Sequence, residues 1–378
     1  MRVLFVAHAF PRHEQDLPGS FVLRLARALA GQDVTVSALA PAAAGLAGHE
    51  VLGGIEVRRY RYATRKAETL AYGGTMHTRA AGVRGALTTA LLLAAGTIEA
   101  RRLGSEADLV HAHWWVPGGL QAAASLRRPL VTTLHGTDVR LARRNPAARA
   151  ACARVLRASA VVTAVSGWLR DQAAGIAPDV ADRIRVAPMP VDADAFPAGT
   201  GPRAGLLFVG RLDEQKGLAD VIEALPQLGG RLRVVGTGPD ERELRALAGR
   251  LGVADRIDWE PYLPAAELAA RYRDAAALVV PSRAEGLGLV AVEAQLSGTP
   301  VVAAAAGGLL DVVSDGVTGR TFTPGAPETL AKAVAELLAD PAGAAALAAR
   351  GRASALDRFT PEAAASTYAR VYAEALAR

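Results

Sequence analysis

The chain has 378 residues, 51% of them apolar, which is enough for two domains with cores of ordinary size. A single cysteine, Cys152, excludes a disulfide framework and points to a reducing compartment. The net charge of +6 is uneven, because residues 1–202 carry 24 Lys+Arg against 15 Asp+Glu and residues 203–378 carry 19 against 22. The first half therefore has the more positive field, suited to an anionic acceptor or a membrane surface, and no nucleic-acid partner is read from it.

Strand-like apolar runs alternate with helical patterns along the whole chain, which argues for parallel sheets covered by helices. In the first half the strands are expected at residues 3–7, 34–39, 55–60, 109–112, 130–134, 161–165 and 184–187. The chain begins directly with Val3-Leu4-Phe5-Val6-Ala7, so no cleavable leader is expected and the protein is read as cytoplasmic. A long turn from Pro11 to Ser20 leads into a helix near Phe21, with Gly19 at its entrance. The longest uncharged run, Gly85 to Ile98, is bracketed by Arg84 and Glu99 and is too short to cross a bilayer. Arginines at 58, 59, 61 and 65, and again at 140, 143 and 144, are expected to form a basic face toward an anionic membrane.

His111-Ala112-His113-Trp114-Trp115 follows one of these strands. Two histidines without a carboxylate or cysteine set fall short of a metal site, and none is expected. Trp114 and Trp115 either stack on a sugar ring or pack under a loop. Leu134-His135-Gly136-Thr137-Asp138 ends another strand, which sets His135 at the carboxyl edge of the sheet, while Asp138 ties down the helix that follows. Phe196 to Pro202 has linker composition and marks the boundary between residues 1–197 and 203–360.

The second half restarts the pattern, with strands at 206–210, 232–236, 257–259, 277–280 and 301–304. After the first comes Gly210-Arg211-Leu212-Asp213-Glu214-Gln215-Lys216-Gly217, where two cations five residues apart can converge on a diphosphate. Only three of the 43 basic side chains are lysine, so Lys216 stands out. Val235-Gly236-Thr237-Gly238 is a further strand-to-glycine turn, and neither half contains a dinucleotide fingerprint. Pro281-Ser282-Arg283-Ala284-Glu285-Gly286-Leu287-Gly288-Leu289 leads from a strand into a helix that carries Glu293. Its glycine turn aims helix N-terminal N–H groups at an anion, and Glu285 and Glu293 accept hydrogen bonds from hydroxyls. Phosphate with sugar hydroxyls suggests a nucleotide-sugar. Residues 361–378 read as an amphipathic helix with Tyr368, Val371, Tyr372 and Leu376 on its apolar side.

These elements, and the Glu-x7-Glu segment from Pro281 to Ala303 above all, resemble glycosyltransferase family 4 over nearly the whole chain. The resemblance implies a GT-B fold of two Rossmann-like, doubly wound domains facing across a cleft, with the last helix crossing back to the first domain. It implies a retaining, metal-independent transfer of a sugar from a nucleotide-sugar, with no cofactor, to a hydroxyl acceptor such as a lipid-linked or polysaccharide intermediate. UDP-sugars are favoured and GDP-sugars remain open. By the same resemblance Arg211 and Lys216 stabilise the departing diphosphate, Glu285 positions the sugar, Glu293 binds ribose hydroxyls and His135 contacts the sugar near its reacting carbon. No carboxylate matches a covalent nucleophile, so departure and attack on the same face are expected. Gly19, Gly210, Gly236, Gly238, Ser282, Gly286, Leu287, Gly288 and Leu289 complete the donor site, and Trp114, Trp115 and Asp138 are candidates for the acceptor. A nucleotide-sugar epimerase of the same fold and a non-catalytic binding protein are the alternatives.

Overall fold

The computed structural model describes residues 1–16, 18–72, 82–125 and 128–378. They divide into two compact units, residues 1–190 with 361–378, and residues 191–360. The first unit holds strands β1 (Arg2–Val6), β2 (Thr35–Pro41), β3 (His49–Leu52), β4 (Ile55–Tyr60), β5 (Leu109–His113), β6 (Leu130–Leu134), β7 (Val161–Ala164) and β8 (Ile184–Val186), in the order β3-β4-β2-β1-β5-β6-β7-β8. All neighbours are parallel except β3 and β4, an antiparallel hairpin turned by Gly53-Gly54. β5, β6 and β7 are buried along their full length, which is what helices on both faces of a parallel sheet require of central strands.

The second unit holds β9 (Leu206–Val209), β10 (Leu232–Val235), β11 (Ile257–Glu260), β12 (Ala277–Val280), β13 (Val301–Ala304) and β14 (Arg320–Phe322), all parallel, in the order β11-β10-β9-β12-β13-β14. Counted from β9 this is 3-2-1-4-5-6, the doubly wound order whose switch point lies between its first and fourth strands. Ligands in such sheets bind outside the carboxyl ends of the strands at that point, so the segments after β9 and β12 are where a site belongs.

Residues 191–199, read from sequence as the end of the first domain and the linker, pack with the second unit. Val191 N–H donates to Phe359 O at 2.7 Å, Gly199 N–H to Ser297 O at 3.4 Å, and the Phe196 ring meets Tyr272 edge-on at 5.9 Å. The last helix, Pro361–Ala377, belongs to the first unit, where Tyr368 Oη donates to Ala187 O at 3.1 Å and Tyr372 Oη lies 2.8 Å from His111 Nδ1. Leu376, read as part of its apolar side, is exposed.

Two sequence readings of the first unit change. The uncharged run at 85–98 is the middle of a 23-residue helix, Gly82–Gly104, which is long and apolar enough by length and composition to cross a membrane. The flanking charges do not end it, because arginine and glutamate are good helix formers. The expected basic face also loses one member to the interior and has two of its side chains paired with acids. Arg59 is buried between Glu50, Tyr72 and the Pro11 carbonyl, Arg61 pairs with Glu68 at 2.7 Å, and Arg58 lies 3.6 Å from Glu56. Strand alternation sends neighbouring arginines to opposite faces of β4, and each meets an acid there.

Candidate active site

In the second unit two loops are stitched together at the switch point. The loop after β9 turns at Asp213, whose carboxylate accepts the Lys216 N–H at 3.2 Å and caps the short turn Glu214–Lys216. Gly217 then takes φ +69 and starts the helix Leu218–Ala224. A Cβ there would stand 2.2 Å from Pro281 O, so only glycine lets this loop lie against the one after β12. Across the contact Arg283 N–H donates to Gln215 O at 2.9 Å and Gln215 Nε2 to Ala284 O at 2.7 Å. The half-buried Lys216 ammonium donates to Glu285 Oε1, which also accepts from Ser282 Oγ at 2.9 Å. Arg283 pairs with the buried Asp220 at 3.0 Å, and burial raises that carboxyl against the pull of the guanidinium.

Arg211 leans on Asp213 at 3.4 Å and stays partly exposed. Tyr262, half exposed, stands within electrostatic reach: burial raises its phenol while Arg211 and Lys216 lower it. Gly236, at φ +141, and Gly238 back the loop after β9, since a Cβ on either would meet Gly210 O at 1.9 Å or Leu212 O at 2.1 Å. Gly288 opens the helix Leu289–Leu296, and Gly308 N–H donates to Glu285 O at 2.9 Å, which fixes the backbone of the first glutamate. Leu287 is buried beneath this turn. One turn into the helix Glu293 accepts from the buried Tyr272 hydroxyl at 2.8 Å. The result is a cation pair, a carboxylate already holding one cation, a helix N-terminus and a second carboxylate, an arrangement able to bind a diphosphate and hydroxyl groups together.

In the first unit the corresponding edge is aromatic. Gly19 takes φ +77 at the start of the helix Ser20–Ala30, where a Cβ would meet Ala9 O at 1.5 Å. Phe21, next along, faces Trp114 at 5.8 Å and His135 at 5.2 Å between ring centroids. Trp114, itself at φ +64, lies 4.4 Å from both His8 and His135. His135 is partly exposed, and its Nε2 lies 3.2 Å from Nδ1 of the buried His113. His113 Nε2 has no hydrogen-bond partner among the described residues, and His111 is held by Tyr372 and by Thr133 Oγ1 at 2.6 Å. Desolvation dominates all four imidazoles. It lowers His8 to about 4 and His111 to about 3, and takes His113 and His135 well below 6.5, so the cluster is neutral at pH 7.

Trp115 and Asp138 lie inside this edge. Trp115 Nε1 donates to Asp138 O at 2.7 Å, and the Asp138 carboxylate accepts from the N–H groups of His135 and Gly136 at 3.2 and 2.9 Å. Both are buried, so their role in the structure is to hold the His135 turn, and Trp114 is the indole that packs on the imidazole. Among the described residues no group of three or more His, Cys, Asp or Glu is placed to hold a metal ion. The sequence reading passed over Gln215, Tyr262, Tyr272 and Phe21, and weighed His113 only with His111 as a metal pair. The i, i+2 spacing of that pair puts both histidines on one face of β5.

Both halves of the chain match family models. The family model described as Glycosyltransferase Family 4 matches residues 19–195, and that of Glycosyl transferases group 1 matches residues 199–354. A D-inositol 3-phosphate glycosyltransferase of Xylanimonas cellulosilytica is 37% identical over 75% of this chain and 76% of its own length. A GDP-mannose-dependent alpha-(1-6)-phosphatidylinositol monomannoside mannosyltransferase of Mycolicibacterium smegmatis is 35% identical over 64% of this chain and 69% of its own. Among solved structures, Anabaena HepE in complex with UDP and glucose superposes with a TM-score of 0.76 at 21% identity, covering 99% of each chain.

Proposed function

This chain belongs to glycosyltransferase family 4, with the GT-B fold and a nucleotide-sugar donor, and we propose that it is a retaining, metal-independent enzyme of that family. With that membership the epimerase reading is dropped. The observation that carries the proposal is the cluster at the second switch point, where Lys216 is bonded to Glu285 and Glu285 to Ser282. Lys216 and Arg211 supply the positive charge that a leaving diphosphate gathers as its bond to the sugar breaks, the work a divalent ion does elsewhere. Glu285 accepts hydrogen bonds from the transferred sugar, Glu293 from the ribose, and His135, neutral at pH 7, contacts the sugar. The acceptor hydroxyl attacks on the face from which the diphosphate departs and passes its proton to that leaving group, so the anomeric configuration is kept.

UDP-sugars are the favoured donors and GDP-sugars the second choice. HepE is complexed with UDP and glucose, while the mycobacterial relative is named for GDP-mannose. The acceptor is a lipid-linked or polysaccharide hydroxyl, with peripheral contact to an anionic membrane. A thermal-shift panel of nucleoside diphosphates and their sugars, run with and without EDTA, tests the reading. One nucleotide family should raise the melting temperature by mass action, unchanged by chelation. NMR of the product made from that donor should show retained anomeric configuration. Stabilisation that disappears with EDTA would remove metal independence, and no stabilisation by any donor would sink the assignment.

A further inference from the structure

Between Arg84 and Glu99 every large side chain that the Gly82–Gly104 helix exposes is apolar, and Val83 before them is too. Val83 is 88% exposed, Leu87 62%, Leu91 46% and Ile98 66%, and their spacing puts them on one stripe with the exposed Ala90 and Ala94. The opposite flank, Gly85, Leu92, Gly96 and Ala100, is buried against the first unit. The helix is thus apolar on both sides, and among the described residues only one side is covered by the fold.

Its polar groups are withdrawn. The hydroxyls of Thr88, Thr89 and Thr97 donate to the carbonyls of Arg84, Gly85 and Leu93, each at 2.8 Å. From Gly85 to Ile98 no side-chain polar group therefore needs water, the condition an apolar medium imposes. Charge returns at the ends. Arg84 stands at the start and Arg101 and Arg102 at the finish, with Arg128 donating to Ser105 O just beyond. The one acid of the helix, Glu99, is held by Arg102 at 2.8 Å.

We propose that this helix lies in the surface layer of an anionic bilayer, with Val83, Leu87, Leu91 and Ile98 among the upper acyl chains and the arginines of both ends at lipid phosphates. The two ends are about 25 Å apart at the rise of an α-helix, so the helix lies flat with its buried flank still in the fold. A second copy of the chain fits less well. Two such stripes face to face, in either direction, set arginine against arginine at both ends. The proposal rests on the membrane contact inferred above and locates it.

The test reads binding and not transfer. The full chain is floated with vesicles of phosphatidylcholine alone or with about 30 mol% phosphatidylglycerol, at low and at raised salt. The wild type should float only with the anionic vesicles, and less as salt rises. L87Q/L91Q/I98Q and R84E/R101E should each lower that partition by about 10-fold or more, while the thermal shift given by the nucleotide stays as in wild type. The outward position of these side chains lets the variants fold, and an unchanged nucleotide shift verifies it. Absence of binding by the wild type, or equal binding by the triple variant, overturns the proposal. A dimer in solution that the triple variant dissolves also overturns it and gives the stripe to a second copy.

Discussion

Lys216 is engaged by Glu285, so a diphosphate bound as proposed has to compete with that carboxylate for the ammonium. Removing the charge of Glu285 should therefore tighten nucleotide binding while it slows transfer. At contact distance and an effective dielectric constant near 20 the attraction is on the order of 4 kcal/mol, before hydration of the ion pair is counted. The Lys216 side chain is 27% exposed and that of Glu285 12%. Water and salt around the ammonium reduce the figure to about 1–2 kcal/mol, which is roughly 5- to 30-fold in Kd. Glu285→Gln is thus expected to bind the nucleoside diphosphate roughly 10-fold tighter by titration calorimetry, and to lose about 10²-fold in kcat as its bond to the transferred sugar goes. Lys216→Ala should lower kcat/KM by about 10²-fold or more and weaken the nucleotide. In the double variant the gain from Glu285→Gln should disappear, because the two side chains act as one pair. Unchanged or weaker nucleotide binding by Glu285→Gln would refute the competition. Near-wild-type turnover by Lys216→Ala would remove that residue from the mechanism.

The buried imidazoles make stability fall in acid. Folded His111 takes a proton only near pH 3, and His113 well below 6.5, whereas the unfolded chain takes them up near 6.5. Their contribution is complete above pH 6.5 and is lost as pH falls toward the folded values, at about 1.4 kcal/mol per pH unit for each group. Urea melts between pH 7 and 4.5 should show that slope, and His111→Gln should remove its share; a slope shared equally by variant and wild type would contradict it. Gly236→Ala puts a methyl 1.9 Å from Gly210 O at φ +141, so nucleotide affinity should drop by about 10-fold or more, on the scale of 1–3 kcal/mol of backbone strain. Gly229→Ala, with open space around it, is the control that should change neither affinity nor melting temperature.

The parallel strands and the second-unit loops were legible because each rests on local chemistry. Runs such as Ala277-Leu278-Val279-Val280 leave no face for water, and a glycine turn after such a run has one place to go at a sheet edge. The antiparallel strand His49–Leu52 was passed over because half of it faces solvent and its sequence, His-Glu-Val-Leu, has little strand character of its own. Its Gly53-Gly54 turn was the signal available. Arg320–Phe322 is only three residues long and takes its place from pairing with β13.

What stayed hidden needed contacts between residues far apart in the chain. Gln215 joins the loops after β9 and β12 from the middle of a charged stretch, and Tyr272 reaches Glu293 from a neighbouring helix; neither type at those positions signals a site by itself. Charge counting misplaced Arg59 for a related reason. A count credits Arg59 to the surface, yet its guanidinium is buried against Glu50 and Tyr72, while the outward stripe of the Gly82–Gly104 helix carries no charge to count. Composition reports how many groups of each kind exist, and burial decides which of them a partner meets. In this chain β4 hides arginine and the Gly82–Gly104 helix exposes leucine, because the strand has acids within reach on both faces and the helix has only one flank that the sheet can cover.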